Sequence, residues 1–199
     1  MHVIWFTAMS MDGRIASVDD SLDFLDTIGP EPQPGGASTR ADLAPAPETG
    51  SDDFGSFLES VDAVIVGAST LRWLLRGGHG WPHGDLPTWL ITHDTELAAR
   101  AGPTAQPLRT VSGSLETAFA EIEDRGHRRV WLSGGGDVAG QALALDRVDE
   151  VAVTIAPTVL GAGAALFDAA RLPLRRFRLV ECRAGSGGEV HVRWLRARP

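Results

Sequence analysis

Three consecutive glycines, Gly134, Gly135 and Gly136, follow the apolar run Val130-Trp131-Leu132 and precede a segment that places Val138, Ala142 and Leu145 on one helical face. That order reads as strand, tight turn and helix N-terminus. Glycines let a backbone approach a phosphate closely. The free N–H groups of a first helical turn point at such a group with the favourable end of the helix dipole. The chemistry on offer is anion binding, with a dinucleotide as the natural ligand. Gly134-x-Gly136-x-x-Ala139 satisfies the dinucleotide fingerprint with alanine in its third position, and three glycines in a row exceed what a turn alone requires. In an ordinary Rossmann domain the fingerprint lies in the first strand-to-helix turn, whereas most strands of this chain precede it. Such a domain would also place a crossover helix after the strand Val151–Ile155, where this chain has Pro157 and Gly161-Ala162-Gly163.

Two further turns repeat the arrangement. Gly67-Ala68-Ser69-Thr70 follows the buried-strand pattern Val61–Val66, and Ser69 or Thr70 is expected to cap a helix carrying Leu71, Leu74 and Leu75. Thr92-His93-Asp94 follows the strand pattern Thr88–Thr92. In an open parallel sheet all three turns fall at the carboxyl edge, so together they predict a long nucleotide cleft. His79 and His83 are spaced like a metal pair, but Gly80 and Pro82 break the helix that such spacing needs, and no metal site is expected. Asp19, Asp20, Asp23 and Asp26 read as solvated surface, as do Arg171, Arg175, Arg176 and Arg178.

The elements that must carry these turns alternate in type. His2 to Met9 is a mostly apolar strand, followed by the loop Met9-Ser10-Met11-Asp12-Gly13-Arg14-Ile15-Ala16. Phe24 and Leu25 fit one helical turn, and residues 29 to 53, with five prolines, predict a mobile surface loop or lid. A short helix is expected over Asp53–Ser60 with Phe54, Phe57 and Leu58 on one face, and a strand over Pro107–Val111. Ser114 should cap a helix with Leu115, Phe119 and Ile122 inward. Phe177–Cys182 and Val190–Trp194 alternate on either side of Gly185-Ser186-Gly187-Gly188, which is a hairpin signal. The whole predicts one α/β domain over residues 1–199, a central mostly parallel twisted sheet flanked by helices and closed by a C-terminal antiparallel hairpin.

Composition narrows the chemistry. With 199 residues, 43% of them apolar, the chain can bury a real core. Lysine and tyrosine are both absent, which excludes a Schiff base, a P-loop lysine and a Tyr–Lys dehydrogenase pair. The single cysteine, Cys182, points to a reducing compartment. Met1-His2-Val3 lacks the basic start of a leader and no apolar stretch reaches membrane-spanning length, so a cytoplasmic protein is expected. A net charge of −8 argues against nucleic acid as a partner.

Four segments, MSMDGRIA (9–16), VDAVIVGAST (61–70), WLSGGGDVAG (131–140) and VDEVAVTIAPTVLGAGAALF (148–167), occur in this order across most of the chain. Together they resemble the reductase domain of bifunctional riboflavin-biosynthesis deaminase/reductases, within the dihydrofolate reductase-like fold. The resemblance implies that fold, without a deaminase half, NADPH as hydride donor and a homodimer. It assigns the cofactor diphosphate to Gly134, Gly135 and Gly136, with Asp137 and Val138 beside them. The adenosine end falls to Gly67, Ser69, Thr70, Thr92 and His93, with His93 and Arg72 as candidate partners of a 2′-phosphate. The nicotinamide falls near Ala8, Asp12, Gly13, Arg14 and Ile15.

The implied activity is transfer of a hydride from NADPH to a pyrimidine or pterin-like heteroaromatic, similar to 5-amino-6-(5-phosphoribosylamino)uracil reductase. The alternatives are dihydrofolate reductase-like activity, for which Asp23-Phe24-Leu25-Asp26 is a faint match, and a non-catalytic nucleotide-binding protein. Reducing a C=N bond requires a proton at nitrogen. Asp12 is the first candidate donor, ahead of Ser133 and the aspartates of residues 19–26, although an Asp-Gly pair also caps its own turn. Ser133 stands where the riboflavin-pathway reductases carry glutamate, and the substrate-phosphate residues of those enzymes are not matched. Weak or absent activity on the riboflavin intermediate is therefore expected. The hairpin face Val190, Val192 and Trp194 is expected to be covered in a homodimer.

Overall fold

The computed structural model describes residues 1–29, 54–76, 81–101, 108–168, 172 and 174–198. Strand β1 (His2–Ser10) is followed by β2 (Arg14–Ala16), a single 3-10 turn (Asp23–Thr27), α1 (Phe54–Ser60), β3 (Ala63–Gly67) and α2 (Ala68–Arg76). Then come β4 (Thr88–Ile91), α3 (Thr95–Ala101), β5 (Leu108–Val111), α4 (Leu115–Asp124), β6 (Arg129–Ser133) and α5 (Gly136–Ala144). The chain finishes with β7 (Glu150–Ala156), β8 (Ala164–Ala165), β9 (Phe177–Ala184) and β10 (Val190–Arg196).

Eight strands form one sheet in the order β5-β4-β3-β6-β1-β7-β10-β9. The first six are parallel, and β10 runs antiparallel to both its neighbours. The α/β architecture with a C-terminal hairpin is thus the one its sequence pattern predicts. β1 lies inside the sheet with both faces covered, which is why Val3, Ile4 and Trp5 form a continuous apolar run instead of alternating with polar residues. On one face Trp5, Ile65, Leu132 and Val153 pack with Phe119, Ile122, Ala139 and Ala142 of α4 and α5. On the other, Ile4, Val64 and Trp131 are covered by Phe54, Phe57 and Leu58 of α1. The cap of α4 is as expected, with the Ser114 side chain accepting from the Thr117 N–H. Among the described residues no helix is long and apolar enough to cross a membrane.

Three details differ from expectation. β3 runs directly into α2, so Ser69 and Thr70 lie in the first helical turn and neither is its cap. Helix α3 has no counterpart among the expected elements. Its N-terminus is held by Asp94, whose carboxylate accepts from the Leu97 N–H at 2.9 Å, and it buries Leu97 and Ala101. The hairpin face also differs. β10 sits between β7 and β9, so Val192 is buried and Trp194 packs on the main core. The segment 30–53 of the expected loop, together with Pro107, His79 and Arg171, lies outside the described residues.

The hairpin's free edge is β9, where Leu179 is 53% and Val180 is 37% exposed. An unpaired strand edge bearing apolar side chains is surface that a second copy covers well, and the homodimer proposal rests on this edge. Light scattering at micromolar concentration should return the mass of a dimer, and Leu179→Asp should shift it toward monomer. A monomeric wild-type chain would end the proposal.

Candidate active site

The carboxyl ends of β1 and β6 open onto a cavity of about 330 Å³. Strand alternation sets its lining, because Phe6 and Ala8 of β1 face the same side as Trp131 and Ser133 of β6. Phe24, Phe54 and Trp73 add further rings. Phe6 and Phe57 stack at 4.3 Å between centroids, and Trp131 meets Phe54 and Phe57 edge-on. The polar lining consists of hydroxyls (Thr7, Ser69, Thr70, Ser133) and carboxylates (Asp20, Asp137, Asp168), and no arginine or histidine lines it among the described residues.

Two of the three glycines have a steric reason. A Cβ on Gly134 would stand 2.3 Å from Thr70 Oγ1, and one on Gly136 would stand 2.0 Å from the Ala165 carbonyl oxygen. Gly134 and Gly136 are therefore required by neighbouring parts of this chain. Gly135, with φ of 81°, meets nothing closer than 3.9 Å. It is the member of the trio with open space in front of it. It is also the N-cap of α5, whose first N–H groups have no acceptor within the helix.

Opposite the glycines, two loops are clamped together. Asp12 accepts hydrogen bonds from Ser10 Oγ at 2.6 Å, from the Leu160 N–H at 3.0 Å and from the Gly161 N–H at 2.8 Å. The Ser10 hydroxyl above all, then the backbone donors, lower its pKa to about 2. The loop after β1 is thereby tied to the loop after β7, and β2 pairs with β8 alongside. Arg14 turns its guanidinium to the Gly163 carbonyl at 3.2 Å.

Beside the cavity, His83 is 1% exposed and its Nε2 lies 2.7 Å from Ser133 Oγ. Trp81 and Trp131 meet its ring edge-on, at 4.5 and 5.1 Å between centroids. Burial among these rings pushes its pKa down to about 3, so the imidazole is neutral at physiological pH.

The family model of the RibD C-terminal domain matches residues 1–190. The chain belongs to this family. It is 24% identical over 164 residues to the uncharacterized protein YwjB of Bacillus subtilis, covering 82% of this chain and 81% of that protein. Among solved structures, a protein of Shewanella sp. PV-4 with a provisional riboflavin-biosynthesis name is 25% identical with a TM-score of 0.78, each chain covered in full. A pyrimidine reductase-like protein of Corynebacterium diphtheriae is 18% identical with a TM-score of 0.66, over 100% of this chain and 92% of that one.

Within this RibD C-terminal-type domain, the cavity brings together Ala8, Ile15, Ser69, Thr70, Ser133, Gly134, Gly135, Gly136 and Asp137. Other residues expected at the site do not line this cavity, and the contacts they make are these. Asp12 and Arg14 hold the two loops, and Gly67 packs against Val138, whose Cγ2 would stand 2.9 Å from a Cβ there. Gly13 accepts from the Leu166 N–H at 3.1 Å. Thr92 and His93 lie in the turn that caps α3, where Thr92 Oγ1 accepts from the Asp94 N–H. Arg72, a candidate for the 2′-phosphate, is paired with Asp94 at 3.2 Å. Sequence reasoning missed the aromatic lining and the role of His83. The first was legible as Phe6 and Trp131 falling in step on strands that prove to be neighbours. The second had no local signal, because its partner lies 50 positions away.

Two outcomes test this geometry. Gly135→Ala should cost about 1–2 kcal/mol, the strain of a left-handed backbone, and Gly136→Ala should cost more because a backbone carbonyl must move. Equal losses in urea denaturation would contradict the packing. In the unfolded chain His83 takes its proton near the ordinary histidine value of 6.5, but in the folded chain only near 3. Its contribution to stability is thus complete above about pH 6.5 and is lost as pH falls from there toward 3, by roughly 1.4 kcal/mol per unit. Replacing it by Gln should flatten that acid limb. An unchanged limb would show that another group is responsible.

Proposed function

We propose that the protein is an NADPH-dependent reductase that transfers a hydride to a pyrimidine or pterin-like heteroaromatic. The observation that carries this reading is one cavity combining an open glycine at a helix N-terminus with a lining of aromatic rings. Family membership supports a pyrimidine reductase-like role. NADPH suits the residues present. Gly135 leaves room for close approach of a phosphate, the first N–H groups of α5 have no acceptor within the helix, and the Ser69 and Thr70 hydroxyls line the same cavity. Ala8, Ile15 and the β8 residues Ala164 and Ala165 line an apolar part of the cavity suited to a nicotinamide. Two inter-strand spacings separate β6 from β4, roughly 10 Å, a reach that brings the Thr92–His93 turn within range of the adenosine end.

When bound, NADPH supplies the hydride. The chain's own groups must then meet the charge that develops on the acceptor nitrogen. Asp12, held as a carboxylate with a pKa of about 2, has no proton to deliver at neutral pH. Its part in this reading is to fix the loop that carries Ile15. Ser133 offers a hydroxyl inside the cavity, and water supplies the net proton. Among the described residues the cavity is lined by carboxylates and by no cation, which suits an acceptor that carries no phosphate.

NADPH should bind with micromolar affinity or better, and Gly135→Val should weaken it at least tenfold while the folded chain persists. Unchanged affinity in that variant would refute the diphosphate placement. With the phosphoribosylamino-pyrimidine as acceptor, NADPH absorbance should stay nearly constant. Rapid oxidation would instead make the protein a riboflavin-pathway reductase.

A further inference from the structure

His83 lies on the segment between α2 and β4, is 1% exposed, and among the described residues has Ser133 Oγ as its one side-chain hydrogen-bond partner. Its second ring nitrogen, Nδ1, is buried and has no partner among the described residues. A neutral imidazole carries one proton, on one nitrogen or the other. With the proton on Nδ1, a buried N–H would have nothing to donate to. With it on Nε2, the donor is satisfied by Ser133 Oγ and only a lone pair is left without a partner. Orphaned buried donors are the rarer and costlier case, so the Nε2–H form is favoured. Burial in this aromatic surround disfavours the imidazolium, which leaves the neutral donor as the resting form.

A serine oxygen that accepts from His83 must send its own proton elsewhere. Ser133 is 6% exposed, and what it faces is the cavity. We propose that His83 is a positioning residue whose Nε2–H fixes the Ser133 hydroxyl as a donor into the cavity. There it meets a carbonyl oxygen or unprotonated ring nitrogen of an uncharged planar heteroaromatic ligand. Trp131 makes the arrangement rigid. Its indole touches the His83 ring and lines the cavity, and its Nε1–H is anchored on the Phe6 carbonyl at 3.1 Å. A hydroxyl of fixed direction discriminates at one point of the ring. It accommodates an acceptor there and leaves an N–H without a partner. The identity of the ring rests on the reductase reading, whereas the state of the His83–Ser133 pair does not.

Nitrogen-15 NMR of the imidazole separates the two. A protonated Nε2 on His83 at pH 7, whose shift moves in Ser133→Ala, supports the proposal. A protonated Nδ1, or an imidazolium, overturns it. The second measurement is binding of lumazine to the NADPH-saturated chain, followed by lumazine fluorescence. Ser133→Ala should weaken lumazine roughly tenfold, as should His83→Phe, and His83→Gln should restore most of the loss because its amide N–H can replace Nε2–H. The Ser133→Ala/His83→Phe double variant should bind no more weakly than Ser133→Ala alone. Additive losses, or no rescue by Gln, would overturn the positioning role. Failure of wild-type lumazine binding would overturn the acceptor-ring assignment. Failure to bind NADPH itself would count against the reductase reading instead, with the imidazole spectrum still reporting on the pair.

Discussion

Where β6 gives way to α5, three parts of the chain meet at distances that leave no room for side chains. Thr70 of α2 presses on Gly134, and the Ala165 carbonyl of β8 presses on Gly136. The backbone bond from the Asp168 N–H to the Gly136 carbonyl, at 2.9 Å, closes the same junction. A Cβ at either glycine would push these elements apart. The cavity depends on this contact, because it lies between the elements that the contact holds together. Glycine is required twice for internal packing. Only between those two positions is it free to serve a ligand.

The electrostatics of the cavity follow from what surrounds it. Among the described residues, carboxylates line it and arginines do not. Arg14, the nearest candidate in sequence, spends its guanidinium on a backbone carbonyl, and Arg76 pairs with Asp20 at 3.3 Å. Asp12 is ionised because a hydroxyl and two backbone N–H groups converge on it, and this convergence joins the loops after β1 and β7. Among the described residues, attraction for an anion comes from backbone N–H groups at the start of α5. That is a directional and short-range device, suited to one phosphate group at one place.

The aromatic side of the cavity does double duty. Phe6, Phe54, Phe57 and Trp131 seal the sheet face under α1, and three of them also line the open space. Trp131 extends the same cluster to His83, where the rings exclude water and keep the imidazole neutral. Packing and site chemistry here are one set of contacts, so a substitution at Trp131 would disturb both.

Local pattern alone was enough for much of this protein. The alternation of strand and helix, the glycine turn before α5, the Ser114 cap and the terminal hairpin were all legible, because each depends on residues a few positions apart. The fold followed from them. The site was only half legible, for the same reason. That Gly134–Gly136, Ser69 and Thr70 share a cavity could be expected from turns at one sheet edge. That Asp12 is a loop clamp could not be decided, since its partners Leu160 and Gly161 are nearly 150 positions away. The pairing of His83 with Ser133, and the placing of β10 inside the sheet with β9 at its edge, were settled only by the assembled structure. Sequence determines which groups are available and which turns they occupy. Tertiary packing decides which of them lose water, gain a partner and so acquire their chemistry, because burial and hydrogen bonding depend on neighbours that chain order does not reveal.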